Sequence, residues 1–192
     1  MPKFRLDKLQ TGLLIIDVQE KVFASADHSA EFLDSVLKTI KGFQIFQTPI
    51  LISEQYPQGL GETLWPIKNL LGTSYQPQIK TTFSCMDDHA FFRHIQSLAI
   101  QQWVIIGLEA HICVLQTAKG LIQAGKEVVV LNDAISSKSI FDFSTAIAEM
   151  RDEGVRISSV ETVLFELLKD ARAPEFKAIS EMIKTTCQDL RC

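Results

Sequence analysis

The chain has 192 residues, 46% hydrophobic and 22% charged, with a formal net charge of −4. That length suits a single domain with a sizeable core, and a mildly acidic chain with scattered Lys and Arg offers no basic footprint for nucleic acid. No apolar run approaches the ~20 residues of a membrane span, and MPKFRLDKLQ is too polar for a secretion signal, so a cytoplasmic protein is expected. In chain order, Gly12–Asp17 (GLLIID) is a short apolar strand ending in a carboxylate. Residues 29–47 follow with helical spacing, Phe32, Leu33, Val36, Leu37, Ile40 and Phe43 falling on one face. Pro49–Ser53 is a second strand, and Glu54–Gly61, with Pro57, Gly59 and Gly61, is a loop. A helix near Asp87–Leu98 leads to the strand Trp103–Ile106, and a helix from about Cys113 to Ala124 stops at Gly125. The strand Glu127–Leu131, a helix over roughly 139–152 ended by Gly154, the strand Val155–Ser158 and a helical tail interrupted at Pro174 complete the pattern.

Unbroken apolar strands are buried on both faces, and helices alternate with them, which describes a parallel sheet covered on both sides. No repeat, linker or second domain is visible, so one domain over 1–192, its core at about 10–170, is expected. Such sheets bind ligands beyond the carboxyl ends of their strands. Asp17 and the segment around Cys113 both lie at such ends and can share a cleft.

The four cysteines, Cys85, Cys113, Cys187 and Cys192, show no paired spacing and read as reduced thiols. Cys113 sits near the first turn of its helix, where backbone N–H groups favour negative charge, but a nucleophile still needs a proton acceptor. His111, two residues away, would face it only in extended chain. Asp17 is the better base, since a carboxylate closing a buried strand must find a partner, the plain alternative for a lone Asp being a solvated strand end or a cap. Lys80 is a lone lysine in a moderately apolar stretch. The histidines at 28, 89, 94 and 111 form no metal-binding motif, and glycine-rich phosphate loops and G-x-S-x-G are missing.

LLIIDVQ (13–19), Lys80 before TTFS, GLEAHICVLQTA (107–118) and VVVLNDAISS (128–137) together resemble the isochorismatase-like cysteine hydrolases, the superfamily of nicotinamidases and N-carbamoylsarcosine amidases. Order and spacing fit over roughly residues 10–170, and SEQYPQGLG (53–61) and APEFKAI (173–179) look closer still to isochorismatase-domain proteins of unassigned substrate. The resemblance implies a three-layer α/β/α fold with strand order 3-2-1-4-5-6. It implies Cys113 as nucleophile, Asp17 as general base and later acid, and Lys80 as the cation that lowers the thiol pKa. It also implies a cis peptide between Leu108 and Glu109, with the amides of Glu109 and Cys113 as oxyanion hole.

Nicotinamidases carry histidines after the second strand that help to hold a metal; SEQYPQGLG has none, so no metal or other cofactor is expected. True isochorismatases lack the cysteine. The resulting expectation is a metal-independent hydrolase that cleaves a C–N bond of a small amide or carbamoyl compound through a thioester. The alternatives are a nicotinamidase or a non-catalytic interaction protein retaining the fold. Phe23, Tyr56, Trp65 and Phe83 are candidate pocket residues that suit a core equally well, and Gln19 either orients the base or caps the loop. The resemblance also implies a homo-oligomer, dimer or tetramer.

Overall fold

The computed structural model describes residues 4–26 and 29–184. His28, Cys187 and Cys192 therefore lie outside the described residues. The elements run β1 (Thr11–Ile16), the one-turn helix α1 (Glu20–Phe23), α2 (Ser29–Ile45), β2 (Ile50–Gln55), the one-turn helix α3 (Pro57–Leu60), α4 (Trp65–Leu71) and β3 (Gln78–Lys80). They continue through α5 (His89–Ser97), β4 (Gln102–Leu108), α6 (Leu115–Gln123), β5 (Glu127–Ser136), α7 (Ile140–Asp152), β6 (Arg156–Ser158), α8 (Val160–Leu168) and α9 (Phe176–Lys184).

The six strands form one sheet in the order β3-β2-β1-β4-β5-β6, every neighbouring pair parallel. Side chains alternate across a strand, so β1 feeds both faces. Leu13 and Ile15 pack with Phe32, Val36, Ile40 and Phe43 of α2 and with residues of α4, α8 and α9. Leu14 and Ile16 pack with α5, α6 and α7. The fold is thus the three-layer α/β/α arrangement expected, its strand order reversing between β1 and β4, where open parallel sheets form their ligand crevice. Helix starts follow the local chemistry: the Asp88 side chain accepts the Phe91 N–H at 2.9 Å to open α5. Ser139 accepts from Phe141 at 3.2 Å to open α7.

Three departures from the sequence reading bear on the site. β2 runs two residues past Ser53, because Ser53, Glu54 and Gln55 pair with Gln78, Ile79 and Lys80 of β3. That three-residue edge strand is too short to show a period. Within the expected loop, Pro57 starts the one-turn helix α3. β5 continues to Ser136 although Asn132 and Asp133 break its apolar run, since Ile135 and Ser136 pair with Gly107 and Leu108 of β4 across a register shift.

The crevice depends on how closely β1 and β4 approach. At Gly107 (φ +146°) a Cβ would stand 2.2 Å from the Ile16 carbonyl oxygen. By contrast, Gly125 after α6 (φ +77°) has open space around its Cβ position. Gly107→Ala should therefore cost about 3 kcal/mol or more, strain plus a backbone clash. Gly125→Ala should cost only the left-handed penalty of about 1–2 kcal/mol. Urea unfolding of the two variants checks this; equal losses would show that the close approach is not limiting.

Candidate active site

Three strands end at the crevice, and each leaves the sheet through a residue with left-handed backbone: Asp17 after β1 (φ +50°), Tyr56 after β2 (φ +37°) and Glu109 after β4 (φ +58°). Such φ values are uncommon for residues other than glycine, and strain of this kind clusters at functional sites. The chain after β4 then winds through a wide turn, Ala110–Val114, closed by the Ile112 and Val114 N–H groups on the Glu109 carbonyl at 2.9 and 3.4 Å. Cys113 sits in that turn, 5% exposed.

Asp17, Lys80 and Cys113 converge. The Asp17 carboxylate accepts Ser53 Oγ on Oδ1 at 2.7 Å and Lys80 Nζ on Oδ2 at 2.8 Å. Lys80, last in β3 and 1% exposed, also donates to Gln55 Oε1 (2.7 Å), the Phe83 carbonyl (3.1 Å) and the Thr82 carbonyl (3.2 Å). Cys113 lines the same cavity as Asp17, near enough for the charges of Asp17 and Lys80 both to act on its thiol. A second free thiol, Cys85, is fully buried beside the cluster, its backbone N–H donating to Thr117 Oγ1 at 3.0 Å.

Burial pulls the Lys80 ammonium down, but the Asp17 charge, with Cys85, Cys113 and the Asp17 hydrogen bond, carries it above its ordinary value. It is therefore a cation. Burial pushes the Cys113 thiol up, and the Asp17 charge pushes it further; Lys80 pulls it down and is outweighed. Lys80 thus acts on the thiol in the direction expected of it, against the larger effects of burial and of Asp17. In the resting site the sulfur holds its proton beside a carboxylate. Cys85 is pushed up to about 12, by burial first and the Asp17 charge second.

A cavity of about 330 Å³ opens over the cluster, lined by Asp17, Lys21, Val22, Ser25, Gln55, Leu60, Phe83, Glu109, Ile112, Cys113 and Lys138. Of the expected pocket residues, Phe83 is in this wall. Gln19, Phe23, Tyr56 and Trp65 are not. Gln19 is fully buried, its Nε2 donating to the Gln55 and Gly61 carbonyls at 3.0 and 2.6 Å and its Oε1 accepting the Gln55 N–H at 2.7 Å. It pins the end of β2 and does not touch the carboxylate's partners directly. Phe23 packs against the core, its ring centroid 6.2 Å from that of Phe32. Tyr56 lies over Gly59, and Trp65 stands 70% exposed at the start of α4. His111 bonds Ser137 Oγ through Nδ1 at 3.0 Å, with Glu109 and Asp142 carboxylates 3.7 and 3.9 Å from Nε2. The Leu108–Glu109 peptide is trans, as are all those described, where a cis bond was expected; the left-handed Glu109 makes the reversal instead. The reading from sequence missed Gln55 and Cys85, which carry no motif and matter only through what the fold puts next to them. A smaller cavity of about 230 Å³, walled by Phe32, Asp133, Ser139, Phe143 and others, contains none of the three clustered residues.

The loop after β2 does not suit a metal. Its one carboxylate, Glu62, pairs with Lys68, and at the end of β2 the Glu54 Oε1 is taken by Thr63 N, Thr63 Oγ1 and Tyr75 OH at 2.7, 2.8 and 2.5 Å, while Gln55 is tied to Lys80. Among the described residues no group of three or more His, Cys, Asp or Glu could hold a metal ion, and no helix is long and apolar enough to cross a membrane.

Fold and cluster define a three-layer α/β protein with a buried thiol and a lysine-bound carboxylate at its topological switch point. The chain matches the isochorismatase domain over residues 11–162 and belongs to that family. It is 33% identical over 180 residues to isochorismatase domain-containing protein 2 of Danio rerio, covering 93% of this chain and 89% of the relative. Among solved structures, the MAR1 ribonuclease of Caenorhabditis elegans superimposes with a TM-score of 0.88 at 31% identity, over 95% of this chain and 93% of that one. YcaC of Escherichia coli, described as an octameric hydrolase of unknown specificity, shares the fold (TM-score 0.91, 20% identity, 100% of this chain and 95% of that one).

The two charges flanking the thiol act on it with opposite signs, which separates their roles. Asp17→Asn removes the negative neighbour and should move the pH profile of Cys113 alkylation to lower pH. Lys80→Met should move it to higher pH and slow alkylation at neutral pH about tenfold or more, each pKa unit being a factor of ten. Iodoacetamide modification followed by peptide mass mapping reads both; shifts of the same sign would show that the two groups do not act through charge.

Proposed function

We propose that the protein is a thiol-dependent hydrolase that cleaves a C–N bond in a small amide or carbamoyl compound. The observation that carries this reading is that Cys113 lines one cavity with Asp17, whose carboxylate is itself held by Lys80 and Ser53. A thiol with a raised pKa is a poor nucleophile unless a base takes its proton as the sulfur attacks. Asp17 is that base. As the C–S bond forms, the carbonyl oxygen gains charge, and the Cys113 amide in the wide turn is a donor placed to stabilise it; with Leu108–Glu109 trans, the Glu109 amide is not assigned to the oxyanion hole. Protonated Asp17 then gives its proton to the departing nitrogen, and a thioester on Cys113 remains. In the second half Asp17 takes a proton from water, hydroxide adds to the thioester carbonyl, and the thiolate leaves with the returned proton.

Lys80 keeps the carboxylate in place and compensates its charge in a buried site. The cavity volume supports a small substrate. The net charge of −4 supports a small molecule over RNA, although the Caenorhabditis elegans relative bears the name ribonuclease. The occupied Glu54 and Gln55 side chains support chemistry without a bound metal and weigh against nicotinamide hydrolysis of the metal-assisted kind. We infer a homo-oligomer in the cytoplasm, as the octameric YcaC neighbour suggests for assembly; size-exclusion chromatography with light scattering tests the former.

The decisive experiment is ammonia release from a panel of small primary amides and ureido compounds. Cys113→Ala should abolish it, and Asp17→Asn should lower kcat by about 10²–10⁴-fold, the usual worth of a general acid–base. A covalent adduct on Cys113 should be seen by intact-protein mass during turnover. An unreactive Cys113 and no ammonia release from any substrate would point instead to an interaction protein that keeps the fold.

A further inference from the structure

We propose that Gln55 is a positioning residue for the thiol site: it holds the Lys80 ammonium through an uncharged oxygen at the end of β2, so that the ammonium is fixed without its charge being spent. This rests on the proposed thiol hydrolase and adds a residue to its machinery. Gln55 and Lys80 are register partners in the β2–β3 ladder, and Gln55 Oε1 is the nearest acceptor of Lys80 Nζ, at 2.7 Å. The amide has one orientation, because its Nε2 donates to the Thr81 carbonyl at 2.8 Å and so leaves the oxygen for the ammonium. Its backbone is fixed as well. The buried side chain of Gln19 bonds both the N–H and the carbonyl of Gln55, and ties the same amide to Gly61. Two glutamines therefore act in series, Gln19 on the main chain of Gln55 and Gln55 on Lys80.

The charge balance explains an amide at this position. The titratable groups facing Lys80 are Asp17 beyond β1, Cys85 after β3 and Cys113 in the wide turn after β4, with Glu109 lining the same cavity. Asp17 is the carboxylate on the ammonium, and the remaining acceptors, Gln55 and the carbonyls of Thr82 and Phe83, are neutral. A second carboxylate at position 55 would keep the shape and the bond to Lys80, lose the bond to Thr81, and compete with Asp17 for the single cation. Both Cys113 and Asp17 would then hold their protons more tightly.

The test uses the full chain, with iodoacetamide as the probe of Cys113 and thermal unfolding as the control. Gln55→Glu should move the Cys113 alkylation profile up by about one pH unit, roughly tenfold slower at a fixed pH on the rising limb, with the unfolding transition still cooperative and above the assay temperature. Gln55→Met, which keeps length and removes the acceptor, should move it up by less. A Gln55→Glu profile that coincides with the wild type, or with Gln55→Met, overturns the inference, since packing alone would treat the two substitutions alike. Should Gln55→Glu fail to fold, an unmoved profile for Gln55→Met overturns it. Lys80→Met and Asp17→Asn separate the two levels. If these move the profile and Gln55→Glu does not, only the role of Gln55 falls; if none of the three moves it, the thiol-hydrolase reading falls and the inference with it.

Discussion

The ion pair between Asp17 and Lys80 organises everything around it. Both side chains are out of water, at 3% and 0% exposure, and their atoms meet at 2.8 Å. Removing two charges from solvent costs several kcal/mol per ion, which a single contact does not recover. The surroundings do so instead: Ser53 takes the second carboxylate oxygen, and Gln55 with two backbone carbonyls surrounds the ammonium. Breaking such a pair by removing one member leaves an uncompensated buried charge, a loss of about 3–5 kcal/mol unless the survivor changes protonation. The pair is therefore weak evidence for stability and strong evidence for use, because apolar residues of the same volume would serve a core equally well.

The backbone is arranged to suit that pair. β1, β2 and β4 end within two residues of one another in register, and each is followed at once by a residue in the left-handed region. The three reversals turn the chain across the crevice instead of away from it, and they put the Asp17 carboxylate, the Gln55 side chain and the Cys113 turn into one cavity wall. Their conformational cost is borne by a sheet with fully buried central strands β1 and β4. Gly107 is part of the same device, since without a Cβ the two strands come together beside the site.

The state of the thiol follows from competition among nearby charges. Lys80 favours a thiolate, but burial and the carboxylate oppose it and prevail. A preformed thiolate beside Asp17 would place two negative charges against one cation in a low-dielectric site. In the proposed mechanism, a thiol that gives its proton to Asp17 during attack avoids that state. The cluster then carries the same net charge before and after the transfer, which suits charged groups held out of water. Cys85 has the same neighbours but no access to the cavity wall; its burial keeps it protonated.

Local sequence determined much of this protein. The apolar runs of β1 and β4, the helical spacing of α2, the glycines closing α6 and α7, and the placement of Asp17 and Cys113 at strand ends all follow from short-range periodicity and chain chemistry. The motifs around Asp17, Lys80 and Cys113 carried the family and the strand order. Tertiary structure decided what no local pattern contains. β3 exists because β2 offers it a ladder, and the second half of β5 exists because β4 does, against the polarity of Asn132 and Asp133. The cavity wall was decided in the same way, with Gln55 inside it and Phe23, Tyr56 and Trp65 elsewhere. So was the balance of charges on Cys113, because the energy of a buried charge depends on distances to groups far apart in the chain. Asp17 and Lys80 are 63 residues apart, and only the packed sheet brings them within a hydrogen bond.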